Sequence, residues 1–536
     1  MAETVQQLLR ERSDDDWIAV KYRGRTWTWR EHLGAAASQA AALIGTADPA
    51  RPLHVGVLLD NTPDMLAAMA AAGLGGYVLC GINTTRRGDS LAADIHRADC
   101  QILVTDERHG GLLDGVDLPG VRVMVVGSPE WEELVGRAGT LTPHREASAT
   151  DPYMLIFTSG TSGDPKAVKV THAMVLLAGA ALVARYALTP DDVCYLSMPL
   201  FHSNAVLAGW SVALNSGAAM APAKFKASGF IDDIRRSGAT YMNYVGKPLA
   251  YILASPERPD DLDNPLRVAF GNEASDRDIT EFARRFGCEV WDGFGSTENA
   301  VIVTREDGCP PGSIGKGFPG VAIYDSETLT ECAVARFDEQ GALANGDEAI
   351  GELVNTQGAG MFAGYYNDQS ATDERLRHGM FWSGDLAFRD AEGWIYLAGR
   401  TADWMRVDGE NMTSAPIERI LIREAAISQA AVYPVPDEHV GDQVMAAIVL
   451  QDQATLPPSE FAEFLAAQPD LSPKAWPRYV WVADDLPSTA TNKVVKRDLI
   501  AMGTKPCGRV LWRRERASYR RIGGESEGNS PPGVRV

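Results

Sequence analysis

Strand-like runs alternate with helical stretches through the first half of this chain, and that alternation narrows its architecture more than any other feature. His54–Leu59 (HVGVLL), Tyr77–Ile82, Gln101–Thr105 and Val121–Val126 are β-rich, with helical stretches such as Thr28–Ile44 and Pro63–Ala72 between or before them. Asp191–Pro199, Thr240–Val245, Leu266–Gly271 and Cys288–Phe294 continue the pattern. Such alternation predicts an α/β fold with layered, largely parallel sheets. At 536 residues the chain exceeds one ordinary core, so two or more domains are expected. The texture changes around Gly399–Asp403, which divides the chain into residues 1–400, a segment over 401–503 short enough for one small α/β domain, and a tail over 504–536. The tail is basic at first, and Gly523–Val536 reads as disordered.

The apolar run Tyr153–Phe157 leads into Thr158–Lys166, TSGTSGDPK. Gly160 and Gly163 let the backbone turn its N–H groups inward, and Thr158, Ser159, Thr161 and Ser162 add hydroxyl donors. With the charge of Lys166 they form a donor-rich cradle suited to a polyphosphate; a plain surface turn is the alternative. It is not a Walker A loop, because neither Gly is followed by Lys.

A formal net charge of −21 argues against a nucleic-acid partner. The seven Cys are scattered, with no zinc-type or disulfide spacing, which fits a reducing cytoplasm. Met1–Asp16 has no apolar core of a signal peptide. Leu66–Asn83 and Ser203–Ala223 lack charge, yet their Ala/Gly content and interior polar residues favour a buried helix running into a core strand over a membrane span.

The loop resembles the phosphate-binding loop of the adenylate-forming superfamily, which comprises acyl-CoA synthetases, luciferases and peptide-synthetase adenylation domains. Ala167 stands where that family usually has Gly. Further motifs follow in the family's order. Gly271-Asn272-Glu273 resembles the purine-contacting turn. Asp292–Glu298, DGFGSTE, supplies Asp292, Gly293, Phe294, Gly295, Ser296 and Thr297 as nucleotide contacts, and Glu298 as an oxygen ligand for Mg²⁺ with Thr161. Asp385 in FWSGD resembles the ribose contact, Arg400 in GRTADWMRVDGEN the second ribose or phosphate contact, and Gly409-Glu410-Asn411 the turn facing the pantetheine tunnel. Lys493 in PSTATNKVVK matches the catalytic lysine, with Lys166 and Glu298 beside it as catalytic candidates. Asn492 replaces the usual Gly there, and Asn tolerates left-handed backbone. Singly these strings read as a helix cap, a loop carboxylate, a surface Arg and a solvated Lys. Their order over about 340 residues is what carries the resemblance.

The resemblance implies a large multi-layered N-terminal α/β domain and a small mobile C-terminal α+β domain. It also implies ATP, Mg²⁺ and coenzyme A as cofactors and co-substrate. Ala402 occupies the family's hinge position. In PLFHSN, His202 stands where amino-acid-activating relatives carry Asp, so an ammonium substrate would go unpaired. His202, Tyr244 and Gly246 are the expected substrate-side residues, although His202 reads equally as a structural, hydrogen-bonded His. Tyr244–Leu253 (YVGKPLAYIL) and Arg267–Asn272 (RVAFGN) resemble the very-long-chain acyl-CoA synthetase and fatty-acid-transport-protein branch, with actinobacterial acyl-CoA ligases nearest. The expected function is therefore CoA ligation of a fatty acid or a steroid side-chain acid. A lipid-carrier homologue without catalysis and a luciferase-like oxygenase are the alternatives. Lys505–Arg521 holds seven basic residues and one acid. It reads as a solvated tail or as peripheral contact with an anionic membrane. A homodimer is compatible with the family.

Overall fold

The computed structural model describes residues 2–158, 165–245, 247–339, 341, 343–400, 404–407, 410–437, 441–468, 471, 473–488, 494–504 and 511–522. At 247, 400, 404, 406, 407, 410–412, 437 and 441 it describes the backbone alone. The chain forms two compact units: Met1–Val321 with Val354–Ser383, and Ala322–Leu353 with Gly384–Val536.

The first unit contains two large sheets. In one, strands Glu289–Gly295, Val268–Asn272, Tyr241–Val245, Val193–Leu196 and Ala219–Pro222 lie side by side and run parallel. In the other, Arg122–Val125, Ile102–Thr105, His54–Leu58, Val78–Gly81 and Pro152–Thr158 are parallel neighbours, closed at one edge by the antiparallel strand Lys166–Thr171. The alternating runs of the sequence are thus the strands of a layered α/β unit.

Helix boundaries follow local chemistry. Thr28 and Glu31 form a capping box at the start of helix Trp29–Thr46. Thr62 caps helix Pro63–Gly75, whose first residue is Pro. That helix, buried from Met65 to Gly75, passes through left-handed Gly76 directly into strand Val78–Gly81. Ser203–Ser216 leads in the same way into Ala219–Pro222, through a π-helical turn at Val206–Trp210. These are the two uncharged stretches, and no described helix is long and apolar enough to cross a membrane.

In the second unit, strands Glu410–Thr413, Trp404–Val407, Gly441–Leu450, Tyr479–Ala483, Leu511–Glu515 and Ser518–Ile522 are successive neighbours, and Ile427–Asp437 pairs with Gly441–Leu450. Apolar clusters cover this sheet, one around Phe461, Trp512 and Tyr519 and another around Trp481, Leu499 and Leu511. Residues 511–522 therefore correct the solvated-tail reading. They form an antiparallel hairpin because Trp512 and Tyr519 are buried against Phe461, while Arg513, Arg516, Arg520 and Arg521 stay exposed. Residues 523–536 lie outside the described set.

Candidate active site

Antiparallel pairing of Pro152–Thr158 with Lys166–Thr171 sets Thr158 directly opposite Lys166. The expected phosphate ligands Ser159, Gly160, Thr161, Ser162 and Gly163 between them lie outside the described residues. Pro165, the first described residue after them, is held from the side. Arg97 donates to the Pro165 carbonyl at 2.8 Å and stands 3.9 Å from the buried carboxylate of Asp94.

Segment Gly364–Tyr366 docks along the second strand. The Lys169 N–H donates to Gly364 O at 3.1 Å, the Tyr366 N–H donates to Ala167 O at 2.7 Å, and Tyr365 bridges Val168. This places the Tyr365 ring 5.3 Å from Lys166 Nζ, a cation–π contact. The Tyr365 hydroxyl donates to Oε1 of buried Glu298 at 2.7 Å. Burial, then the Glu298 charge, raises the Tyr365 pKa, so the hydroxyl stays a donor. One tyrosine therefore holds together the lysine of the phosphate loop and the acidic end of DGFGSTE. Tyr365 was not among the expected site residues; it is Glu298's partner from 67 positions away, and no local pattern announces it.

The purine turn is built where three parallel strands end. Tyr244 lies opposite Gly271, and Gly271 opposite Asp292. Glycine at 271 is imposed by this packing, because a β-carbon would sit 2.3 Å from the Tyr244 carbonyl oxygen and 2.5 Å from its ring. Glu273 follows with φ 65°, a left-handed conformation rare outside glycine that turns the chain at this strand end. Asn272 Nδ2 donates to Gly293 O at 2.7 Å. Gly293 is buried, Phe294, Ser296 and Thr297 are half-buried and Gly295 is exposed; Thr297 Oγ1 lies 2.9 Å from Ser203 Oγ.

Asp292 Oδ2 accepts from the Ala274 N–H at 3.0 Å and lies 3.1 Å from the Tyr244 hydroxyl. Burial nevertheless pushes its carboxyl up to about 7 from an ordinary 3.8. The folded protein therefore binds a proton that the unfolded chain has released between about pH 4 and pH 7, and Asp292 lowers stability as pH rises through that window. The full effect is at most on the order of 4 kcal/mol. Asp292→Asn removes it. The Tm of the native protein minus that of the variant should fall from pH 5 to pH 8; a constant difference would refute the assignment.

His202 opens the helix that leads into the π-helical turn, its ring 4.6 Å from Phe201. Burial lowers its pKa to about 4, so the ring is neutral near pH 7. Its Nε2 is buried without a partner among the described residues.

In the second unit, Asp385 and Arg400 are directly opposed on antiparallel strands, with Asp385 buried. Gly384 before it has φ 76° and donates its N–H to Glu352 Oε1 at 2.7 Å. Asn411 lies opposite Arg406 on the pair Trp404–Val407 and Glu410–Thr413. The side chains of Arg400 and Asn411, and all of Gly246, Ala402, Gly409, Asn492 and Lys493, lie outside the described residues.

The family model "AMP-binding enzyme" matches residues 9–366, and "AMP-binding enzyme C-terminal domain" matches 416–493. Medium/long-chain-fatty-acid–CoA ligase FadD17 of Mycobacterium tuberculosis (strain ATCC 25618 / H37Rv) is 50% identical over 512 residues, 95% of this chain and 98% of that protein. Steroid-22-oyl-CoA synthetase of Rhodococcus jostii (strain RHA1) is 45% identical over 503 residues, 92% and 90% of the two chains. Among solved structures, ATP-bound MatB from Rhodopseudomonas palustris superposes with a TM-score of 0.82 at 23% identity, covering 94% of this chain and 99% of that one; it speaks for the fold.

Proposed function

Because the chain belongs to the AMP-binding enzyme family, we propose that Lys166, Tyr365 and Glu298 form the ATP-handling face of an acyl-CoA ligase. The protein is an ATP-dependent, AMP-forming acid–thiol ligase for hydrophobic carboxylic acids. The observation that carries the reading of the site is the Tyr365 bridge between Lys166 and buried Glu298.

In the first half-reaction a carboxylate oxygen of the substrate attacks the α-phosphorus of ATP and pyrophosphate leaves. In the second, the CoA sulfur attacks the acyl carbonyl carbon and AMP leaves. Thr158, the Ser159–Gly163 turn and Lys166 balance charge on the phosphates. Gly271–Glu273 and Asp292–Thr297 enclose the base, with Phe294 as its apolar face. Asp385 accepts from the ribose hydroxyls and Arg400 flanks it. Glu298, an oxygen donor of the type Mg²⁺ takes, would hold that ion with Thr161, and bound Mg²⁺ supplies neutralising charge. Lys493 stabilises the charge that develops during adenylation. The mobile domain begins after Arg400, hinges at Ala402 and presents Gly409–Asn411 to pantetheine.

The acid is a medium- or long-chain fatty acid or a steroid bearing a carboxylated side chain, approached past neutral His202, with Tyr244 and Gly246 on the substrate side. Thiol consumption with ATP and CoA, plus mass spectrometry of products, tests this. Acyl-CoA and AMP are expected from one of these acid classes; ADP as product, or thioester formation only with short hydrophilic acids, would contradict it.

The hairpin Leu511–Ile522 offers these lipids a supply route. Its exposed arginines suit an anionic bilayer, at about 1 kcal/mol per basic residue near the surface. Arg513→Glu with Arg520→Glu should weaken binding to phosphatidylglycerol vesicles at least about tenfold. Equal binding by the variant, or none by the native protein, would sink this role.

A further inference from the structure

Three asparagines from separate elements form a head-to-tail amide ladder beneath the purine turn. Asn243, fully buried on strand Tyr241–Val245, donates from Nδ2 to Asn204 Oδ1 at 2.7 Å. Asn204, in the short helix before the π-helical turn, donates to Asn272 Oδ1 at 2.9 Å. Asn272 donates to the Gly293 carbonyl at 2.7 Å. That last bond sets the polarity of the whole ladder. A carbonyl can only accept, so Asn272 must present its NH₂ to Gly293 and its oxygen to Asn204, and each amide upstream is oriented in turn. The ladder's head is an orphan: Asn243 Oδ1 is buried with no partner among the described residues. It lies against the π-helical turn, where a β-carbon on Gly209 would come within 2.8 Å of it. Leaving a buried acceptor unpaired is unfavourable, so the head of the ladder costs stability.

We propose that Asn204 is a positioning residue that fixes Asn272 and, through it, the Gly293 carbonyl and the backbone entering Phe294, coupling the His202 helix to the base-binding turn. Ser203 beside it meets Thr297 in the same DGFGSTE segment at 2.9 Å, a second tie between these elements. Removing Asn204 strands the Asn272 oxygen and the Asn243 amide and frees the base turn to shift. Removing Asn204 and Asn272 together leaves fewer stranded groups than the two single changes imply. The inference rests on the base-binding role of Gly271–Glu273 and Asp292–Thr297, so its test reads nucleotide binding and not ligation.

Calorimetric titration with AMP is the measurement. Asn204→Leu and Asn272→Leu should each weaken AMP binding about tenfold. The double variant should bind no more weakly than the weaker single. Asn204→Asp, nearly isosteric, can accept from Asn243 but cannot donate to Asn272, and should weaken AMP binding to a similar degree even if the Leu variants misfold. Unchanged AMP affinity in Asn204→Asp, or strictly additive losses in the Leu pair, would overturn the ladder's role while leaving the site assignment in place. Failure of the native protein to bind AMP would overturn the site assignment, and the inference with it.

Discussion

Glu298→Gln should slow acyl-adenylate formation about 100- to 1000-fold, the loss typical of removing one preorganised electrostatic stabiliser. The substitution preserves shape: a carboxamide oxygen still accepts the 2.7 Å bond from Tyr365, so the cradle around Lys166 stays assembled. What disappears is a buried negative charge of the kind that holds Mg²⁺ against the phosphates. The Mg²⁺ concentration needed for half-maximal rate should therefore rise as the rate falls. Tyr365→Phe separates the two contributions, because it keeps the charge and releases its orientation. Its effect should be smaller, about 10- to 100-fold, as for supporting residues around metal ligands. Full adenylation by Glu298→Gln at saturating ATP and Mg²⁺ would remove Glu298 from the mechanism.

Lys493→Ala should abolish adenylation from ATP and a carboxylate, by about 1000-fold or more, while ATP affinity and fold are largely retained. On the proposed reading, Lys493 adds to the charge placed against the phosphates as pyrophosphate departs, without holding the ground-state nucleotide. The thioester step involves no departing pyrophosphate, so on the same reading the variant should still convert a chemically supplied acyl-adenylate and CoA to acyl-CoA. Rapid pyrophosphate release by Lys493→Ala would sink the role; loss of both half-reactions would point to a collapsed domain instead.

Much of this fold was legible in the chain because parallel strands buried on both faces read as apolar runs. HVGVLL is the strand His54–Leu58, and Leu266–Gly271 overlaps the strand Val268–Asn272. The family was legible for another reason: its motifs are short strings of distinctive residues that recur in a fixed order along the chain. The partners that orient those loops were hidden. Tyr365 reaches Glu298, and Asn204 reaches Asn243 and Asn272, only after distant strands are aligned, and nothing in the local string of any of them reveals the contact. The hairpin Leu511–Ile522 was obscured by composition. Its arginines suggested solvent, while the two aromatic side chains that anchor it, Trp512 and Tyr519, stand seven positions apart and converge on Phe461 only once the chain reverses.

The most direct test of the central claim is acid-dependent pyrophosphate release from ATP and Mg²⁺ across fatty, aryl and steroid carboxylates, with and without CoA. Release with equimolar AMP is expected for fatty or steroid acids, accelerated by CoA. ATP binding without pyrophosphate release for any acid in the panel would contradict it.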